Sequence, residues 1–385
     1  MSEAGIGISI KNITDRLQNM NDSTAIFMFS VINLIILLLA ILPYFYYTGT
    51  IFSNGLRARD CSFMDSMYGK INGKISSINT SNTFFQQPLR DYYIKTAYNA
   101  CSGGEYKNDY VDTCVVKSLL KQGVRALDFE IYSIDDEPVV ATSTNDNYCV
   151  KETFNYVTFG EVLNVISNYA FTLSTAPNPA DPLFIHLRVK STNKKMFEKL
   201  TELIENFNSS TSRILGPNYS YSNKNLATVP LNELAGKVII MVDGTNKTFL
   251  ETKFNEFVNI VSKSAILRGL TNYEIVYTPD MNELINHNKV NMTIGVPDKG
   301  ASPPNPNSLI MRNNGCQFIA MRYQMVDSFL EENNMFFEEN GTAFVLKPDD
   351  LRYKVQTIPA PPPQNERVSY ETKQIETVAG LVFDI

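Results

Sequence analysis

Few side chains in this 385-residue sequence are able to do chemistry, and their spacing is informative. Histidine occurs twice, at His186 and His287, about a hundred residues apart. That scarcity excludes most zinc sites and leaves few candidates for imidazole acid–base catalysis. Asp128 and Glu130 stand two apart in the apolar run 126–132, so both project from one face of a strand. Carboxylates that converge repel and raise one another's pKa unless a cation lies between them. His186 and Arg188 share a face of the run 183–189 by the same alternation, with His186 the deeper. His287, in the polar stretch INHNK, reads as a surface residue. Five cysteines are too few for a disulfide framework, and the odd number leaves at least one free thiol. Cys101, Cys114, Cys149 and Cys316 are small hydrophobes or, in an oxidising compartment, disulfide partners; sequence alone does not pair them.

Short apolar strands alternate with amphipathic helices from residue 88 to 352, and these elements must position the groups above. Strands are expected at Tyr92–Ala97, Ala126–Tyr132, Leu183–Val189, Lys237–Val242, Tyr273–Tyr277, Phe318–Tyr323 and Ala343–Leu346. Helices are expected at Thr158–Tyr169, Lys194–Phe207 and Leu250–Leu267. This alternation is what a (β/α)8 barrel of the TIM type needs. Barrel interiors are packed, which makes His186 a hydrogen-bonded core residue. Apolar residues at 44% and charged residues at 19% exclude disorder over most of the length. A net charge of −6 disfavours a nucleic-acid surface. The Pro-rich segment 297–308 is a surface loop, and IPAPPPQ in the tail is extended polyproline.

The N-terminal part has a different solvent. No charge occurs between Asp22 and Arg57, and the apolar run ends in Pro43 followed by Tyr44, Phe45, Tyr46 and Tyr47. A run of ~20 apolar residues spans a bilayer core, and aromatic residues favour its interface. The polar lead before the run, its length and the lack of a small-x-small site argue against a cleaved signal peptide. The expected organisation is a polar arm (1–24), a transmembrane helix (25–47), a stalk (48–85), the barrel (86–355) and a Pro-rich tail (356–385). Basic residues flanking the span weakly favour a cytosolic barrel. Eight N-x-S/T sequons (Asn12, Asn21, Asn79, Asn208, Asn218, Asn246, Asn291, Asn340) do not decide the matter, because about six would arise by chance at this composition.

Several segments resemble the phosphoinositide-specific phospholipase C family. QPLRDYYIKTAYNA (87–100), GVRALDFEIY (123–132) and TFGEVLNVISNYAF (158–171) are similar to the opening motifs of its X region. NNGCQFIAMRYQM (313–325) and NGTAFVLKPDDLR (340–352) resemble its Y region. The resemblance, X-like over 86–245 and Y-like over 270–355, implies a distorted TIM barrel. It further implies two catalytic histidines and a calcium ion held by an asparagine and three carboxylates. The first histidine falls on Tyr98 and the second on Thr142, neither of which titrates near neutrality. The asparagine is kept as Asn99, and the acidic pair is present in swapped order as Asp128 and Glu130. The third carboxylate falls on Arg188, and the phosphate-reading lysines fall near Met241 and Asp243.

Each lost acid or base is worth ~10²–10⁴ in rate, and a guanidinium puts positive charge where calcium requires an anion. The expectation is therefore a pseudoenzyme with no catalytic residue, no metal and no cofactor. Arg188 is expected to neutralise Asp128 and Glu130. The barrel would be a structural or binding protein anchored in an internal membrane of a host cell or of a large DNA virus. A protein partner would bind the tail or stalk, with no small-molecule substrate. The alternative is a phosphodiesterase working by metal-independent chemistry.

Overall fold

The computed structural model describes residues 22–145, 147, 149–354 and 371–385. Eleven strands form one sheet: β1 (Tyr92–Ala97), β2 (Ala126–Ile134), β3 (Glu137–Ala141), β4 (Val157–Thr158), β5 (Leu183–Val189), β6 (Val238–Asp243), β7 (Ile260–Ser262), β8 (Leu267–Thr271), β9 (Met292–Val296), β10 (Phe318–Met321) and β11 (Phe344–Leu346). Eight of these, β1, β2 and β5 to β10, pair in parallel. Pairing of β1 with both β10 and β2 closes the barrel. The hairpin β3–β4 extends β2 antiparallel, and β11 pads β1. The expected TIM-type barrel is present.

Period-2 alternation sorts each strand into two sets. Phe129, Leu187 and Val242 point outward and pack with helix residues such as Phe159, Phe197 and Leu200. Ala126, Phe184, Ile239, Met241 and Phe318 fill the lower barrel. There the Phe184 ring meets Phe318 edge-on at 5.4 Å. Full burial of such a side chain contributes ~1.5–3 kcal/mol. Above this apolar floor the inward set becomes polar, with Asp128, Glu130, His186 and Arg188 all buried.

Eight α-helices accompany the strands among the described residues: α1 (Asp22–Tyr68), α2 (Thr113–Lys121), α3 (Phe159–Tyr169), α4 (Lys194–Thr211), α5 (Asn272–Val276), α6 (Met281–Val290), α7 (Ser308–Asn313) and α8 (Ser328–Glu339). In α3, Thr158 and Glu161 form a reciprocal capping box that fixes where the expected helix starts. Leu250–Leu267 is not a helix. It forms two 3-10 turns, Thr248–Glu251 and Lys253–Phe257, and then β7 and the start of β8. Three-residue apolar spacing suits 3-10 turns as well as α-helix, and Ile260 and Val261 favour a strand. Tyr273–Tyr277 is not a strand. Thr271 and Glu274 cap it as a helical turn, and the Tyr273 and Tyr277 rings meet at i,i+4 with centroids 4.8 Å apart.

Helix α1 corrects the stalk. Its segment Ile26–Tyr44 is exposed and has a mean hydropathy of 2.7, long and apolar enough to cross a membrane. Beyond it the helix continues to Tyr68 and docks on the barrel. Arg57 pairs with Asp112, Cys61 is disulfide-bonded to Cys114, Met64 is buried, and the Tyr68 hydroxyl donates to the Tyr323 carbonyl at 2.9 Å. Ile75 and Ile78 are buried too, so residues 57–85 belong to the barrel rather than holding it at a distance. These contacts lay α1 parallel to α2, from the α2 N-cap Asp112 to its C-cap Gln122, whose side chain donates to the Tyr68 carbonyl. Helix α2 descends from the loop after β1, so α1 reaches the barrel from its mouth, the end where the strands finish.

The tail is a separate unit, Tyr353–Ile385. Its described part is a hairpin of β12 (Gln374–Glu376) and β13 (Val382–Asp384). The polyproline segment 358–364 lies outside the described residues, as does the polar arm up to residue 21.

Candidate functional site

Neighbouring strands bring the mouth residues together by register. Asp128 lies opposite His186 and Glu130 opposite Arg188 across β2 and β5, and Asp243 ends β6 beside them. The Arg188 Nε donates to Asp128 Oδ1 at 3.0 Å, and Nη2 donates to Asp128 Oδ2 at 2.8 Å. Nη1 donates to Glu130 Oε1 at 3.0 Å, and Nη2 also reaches Asn99 Oδ1 at 2.7 Å. The guanidinium carbon lies 4.4 Å from the centroid of the Tyr98 ring. Burial pushes the Asp128 carboxyl up, but Arg188 and the His186 hydrogen bond outweigh it and hold the group well below the usual carboxylate range.

The other oxygens are also engaged. Tyr132 Oη donates to Glu130 Oε2 at 2.6 Å, and the Ser143 amide and hydroxyl donate to the same oxygen at 3.1 and 3.2 Å. Asn99 sits at φ 45°, a left-handed conformation that asparagine tolerates. Its amide N–H donates to Asp128 Oδ2 at 3.2 Å, and its Nδ2 donates to Glu130 Oε1 at 3.3 Å. Thr142 is turned away from this cluster, its hydroxyl donating to the Tyr106 carbonyl at 3.0 Å. Met241 is buried in the apolar floor. Asp243 is paired with Lys263 at 2.9 Å; burial raises its pKa, but Lys263 and the Thr245 hydrogen bond bring it below the ordinary value.

His186 is a satisfied interior residue, as expected, but its partners form an ordered relay. Nδ1 lies 2.7 Å from Asp128 Oδ1, and Nε2 lies 2.8 Å from the hydroxyl of Ser262 at the end of β7. Tyr98, His186, Arg188, Asp243 and Ser262 line a cavity of about 330 Å³. His287 is half-buried rather than superficial. Its Nε2 faces the Met292 carbonyl at 3.1 Å, and burial lowers its pKa.

Residues 85–243 match the phosphatidylinositol-specific phospholipase C X domain, and residues 245–350 match the Y domain. The chain belongs to the phosphatidylinositol-specific phospholipase C family. Phospholipase C folds are similar in turn. L. pealei PLC21 superimposes with a TM-score of 0.58 at 17% identity over 72% of this chain, and S. officinalis PLC21 with 0.54 at 17% over 71%. The match covers 39% of each of those two proteins, so the chain spans about two fifths of their length. No curated protein sequence matches it.

The family's calcium ion does not fit this phospholipase C barrel. Asn99 Oδ1, both Asp128 oxygens and Glu130 Oε1 all accept from Arg188, and Glu130 Oε2 is taken by Tyr132 and Ser143. Calcium requires six to eight oxygens free to turn toward it. Three participants escaped the sequence reading. Tyr132 stands two residues beyond Glu130 on the same strand face, so period-2 alternation could have found it. Ser143 follows the turn-facing Thr142 in a loop with no periodic signal. Ser262 ends β7, within the segment 250–267 whose apolar spacing predicts a helix.

Proposed function

We propose that this phospholipase C-like barrel is catalytically inactive, is anchored in a membrane by α1, and serves as a structural or binding protein. Arg188 carries the reading: it fills the cation position with a covalently attached charge and commits the carboxylates to itself. Tyr98 and Thr142, at the two histidine positions, are a ring packed against that guanidinium and a hydroxyl bonded to backbone. A phenol and an aliphatic hydroxyl are not ordinary acid–base groups at neutral pH, so an internal attack on phosphorus lacks the family's base and acid. The approach of α1 from the mouth directs that mouth toward the bilayer, which favours binding at a headgroup surface. The full-length chain, reconstituted in phosphatidylinositol vesicles, is expected to release no inositol phosphate with or without calcium. Turnover that disappears in Arg188→Ala would sink the proposal.

One observation favours a second reading, a metal-independent phosphodiesterase. The Asp128–His186–Ser262 relay has the geometry of a base-activated nucleophile, with a base held by a third group. Ser262 is 1% exposed, which weighs against it. Covalent labelling of Ser262 by a fluorophosphonate, lost in Ser262→Ala, would promote this reading over the first.

A further inference from the structure

The side of the membrane on which the barrel lies was open in the sequence, and two independent features of the fold bear on it. The first is the Cys61–Cys114 bridge, which joins α1 to the first turn of α2. The two residues are 53 apart in sequence, and the bridge lies within the segment of α1 that docks on the barrel. Disulfides persist in oxidising compartments and are rare in the cytosol. The weak bias of basic residues toward a cytosolic barrel comes from Lys70 and Lys74, which lie more than ~20 residues beyond the span. Within ~15–20 residues of the span, where such charge is read, Lys11 and Arg16 precede it and Arg57 and Arg59 follow it, a tie.

The second feature is how the fold sorts the sequons beyond the span. Asn79 and Asn218 are exposed, whereas Asn208 and Asn291 are half-buried, and neither the Asn79 nor the Asn218 Nδ2 donates a hydrogen bond among the described residues. Both lie in loops at the barrel end opposite the mouth: Asn79 follows Ile78, whose N–H donates to Asp181 just before β5, and Asn218 lies between α4 and β6. A glycan on either would project away from the mouth and from the span. The Nδ2 of Asn246, on the mouth side, donates to the Val189 and Ser191 carbonyls at 3.1 and 2.8 Å, so a glycan there would break a loop anchor. The Nδ2 of Asn340 is likewise bonded to the Phe336 carbonyl at 2.8 Å.

We propose that the barrel lies on the oxidising side of its membrane, with Cys61 and Cys114 bridged and N-linked glycans on Asn79 and Asn218. The inference rests on the membrane anchor of the preceding section. Its test uses the full-length chain expressed in cells and recovered in sealed membrane vesicles. Peptide N-glycosidase is expected to shift its mobility by two steps, with Asn79→Gln and Asn218→Gln each removing one and Asn246→Gln removing none. A membrane-impermeant maleimide is expected to reach the exposed, unbridged Cys149 only after detergent opens the vesicles. Cys61 and Cys114 should react only after reduction. Labelling of Cys149 in sealed vesicles, or reduced Cys61 and Cys114 in a protected chain, overturns the placement. A protected, bridged chain without a glycosidase shift overturns the glycan assignment. Extraction by alkaline carbonate would reject the anchor instead, while the thiol and glycosidase readouts still decide the compartment.

Discussion

Arg188 grips Asp128 through two nearly parallel bonds, Nε to Oδ1 at 3.0 Å and Nη2 to Oδ2 at 2.8 Å, with side chains only 4% and 0% exposed. A buried pair of this kind contributes little against a well-packed apolar substitute, because both charges were desolvated to form it. Removing one partner is another matter. Asp128 and Glu130, side by side on one face of β2, would then be left buried with no guanidinium between them.

Arg188→Ala is therefore expected to destabilise the fold by ~3–5 kcal/mol, read from denaturant midpoints at constant slope. Arg188→Lys keeps the charge but loses the fork that serves Asp128, Glu130 and Asn99 together, so it should fall between the two. Calcium should leave the wild-type melting temperature unchanged. A calcium-dependent rise would show that the guanidinium yields its place.

Acid should unfold the protein through the same pair. The Asp128 pKa is depressed in the folded state, so its contribution is fully present above the unfolded value of ~3.9 and is lost as pH falls below it. Wild-type stability should drop steeply below about pH 4. Asp128→Asn should be less stable at pH 7 and should lose roughly one proton's worth of that slope. An acid limb of unchanged steepness in the variant would place the titration elsewhere.

The legibility of the fold and of the site followed from how much signal each segment carried. β1 (YYIKTA) and β5 (LFIHLRV) are mostly apolar runs of strand length and agree with the structure to the residue. Because β5 neighbours β2, alternation alone sufficed to set Arg188 beside the two carboxylates once the family order was recognised. β7 is three residues long and follows Phe254 and Phe257, whose spacing imitates a helix, so both the strand and Ser262 were lost. The disulfide was illegible for a different reason. Cys61 lies in a segment whose Ser, Asn and Gly content suggested a stalk, and only docking of α1 brings it to Cys114.

Deleting residues 1–53 should give a protein that stays in the supernatant after high-speed centrifugation and keeps the far-UV circular dichroism of the barrel. The cut removes Ile26–Tyr44 but spares the docking contacts of α1 among the described residues, from Arg57 through Cys61 and Met64 to Tyr68. A stretch this short is marginal as an isolated helix, so its tertiary contacts must hold it. Cys61→Ser in the same background should lower the melting temperature. Closing a loop of 53 residues is worth roughly 4 kcal/mol in the chain-entropy description. Pelleting of the shortened protein with membranes as an integral protein would refute the anchor assignment.

Lys95 offers the sharpest pH test. It points outward from β1 with its side chain fully buried, its Nζ has no hydrogen-bond partner among the described residues, and the Phe337 ring centroid lies 6.0 Å away. Burial lowers its pKa to about 7, against ~10.4 in the unfolded chain. Above pH 7 the unfolded chain therefore holds a proton that the folded protein has released, and stability rises with pH. Lys347, also lowered to about 7 by burial, adds a second proton to that slope. The rise is read most cleanly from pH 7 to about 8.5, because Cys101 and Cys316, raised by burial, oppose it once unfolded thiols ionise. Lys95→Met keeps the stem's packing and removes the charge. It should raise stability at pH 7 by on the order of 3 kcal/mol and take one proton from the slope between pH 7 and 8.5. A wild-type stability that falls across this interval would mean that Lys95 stays charged in the folded barrel.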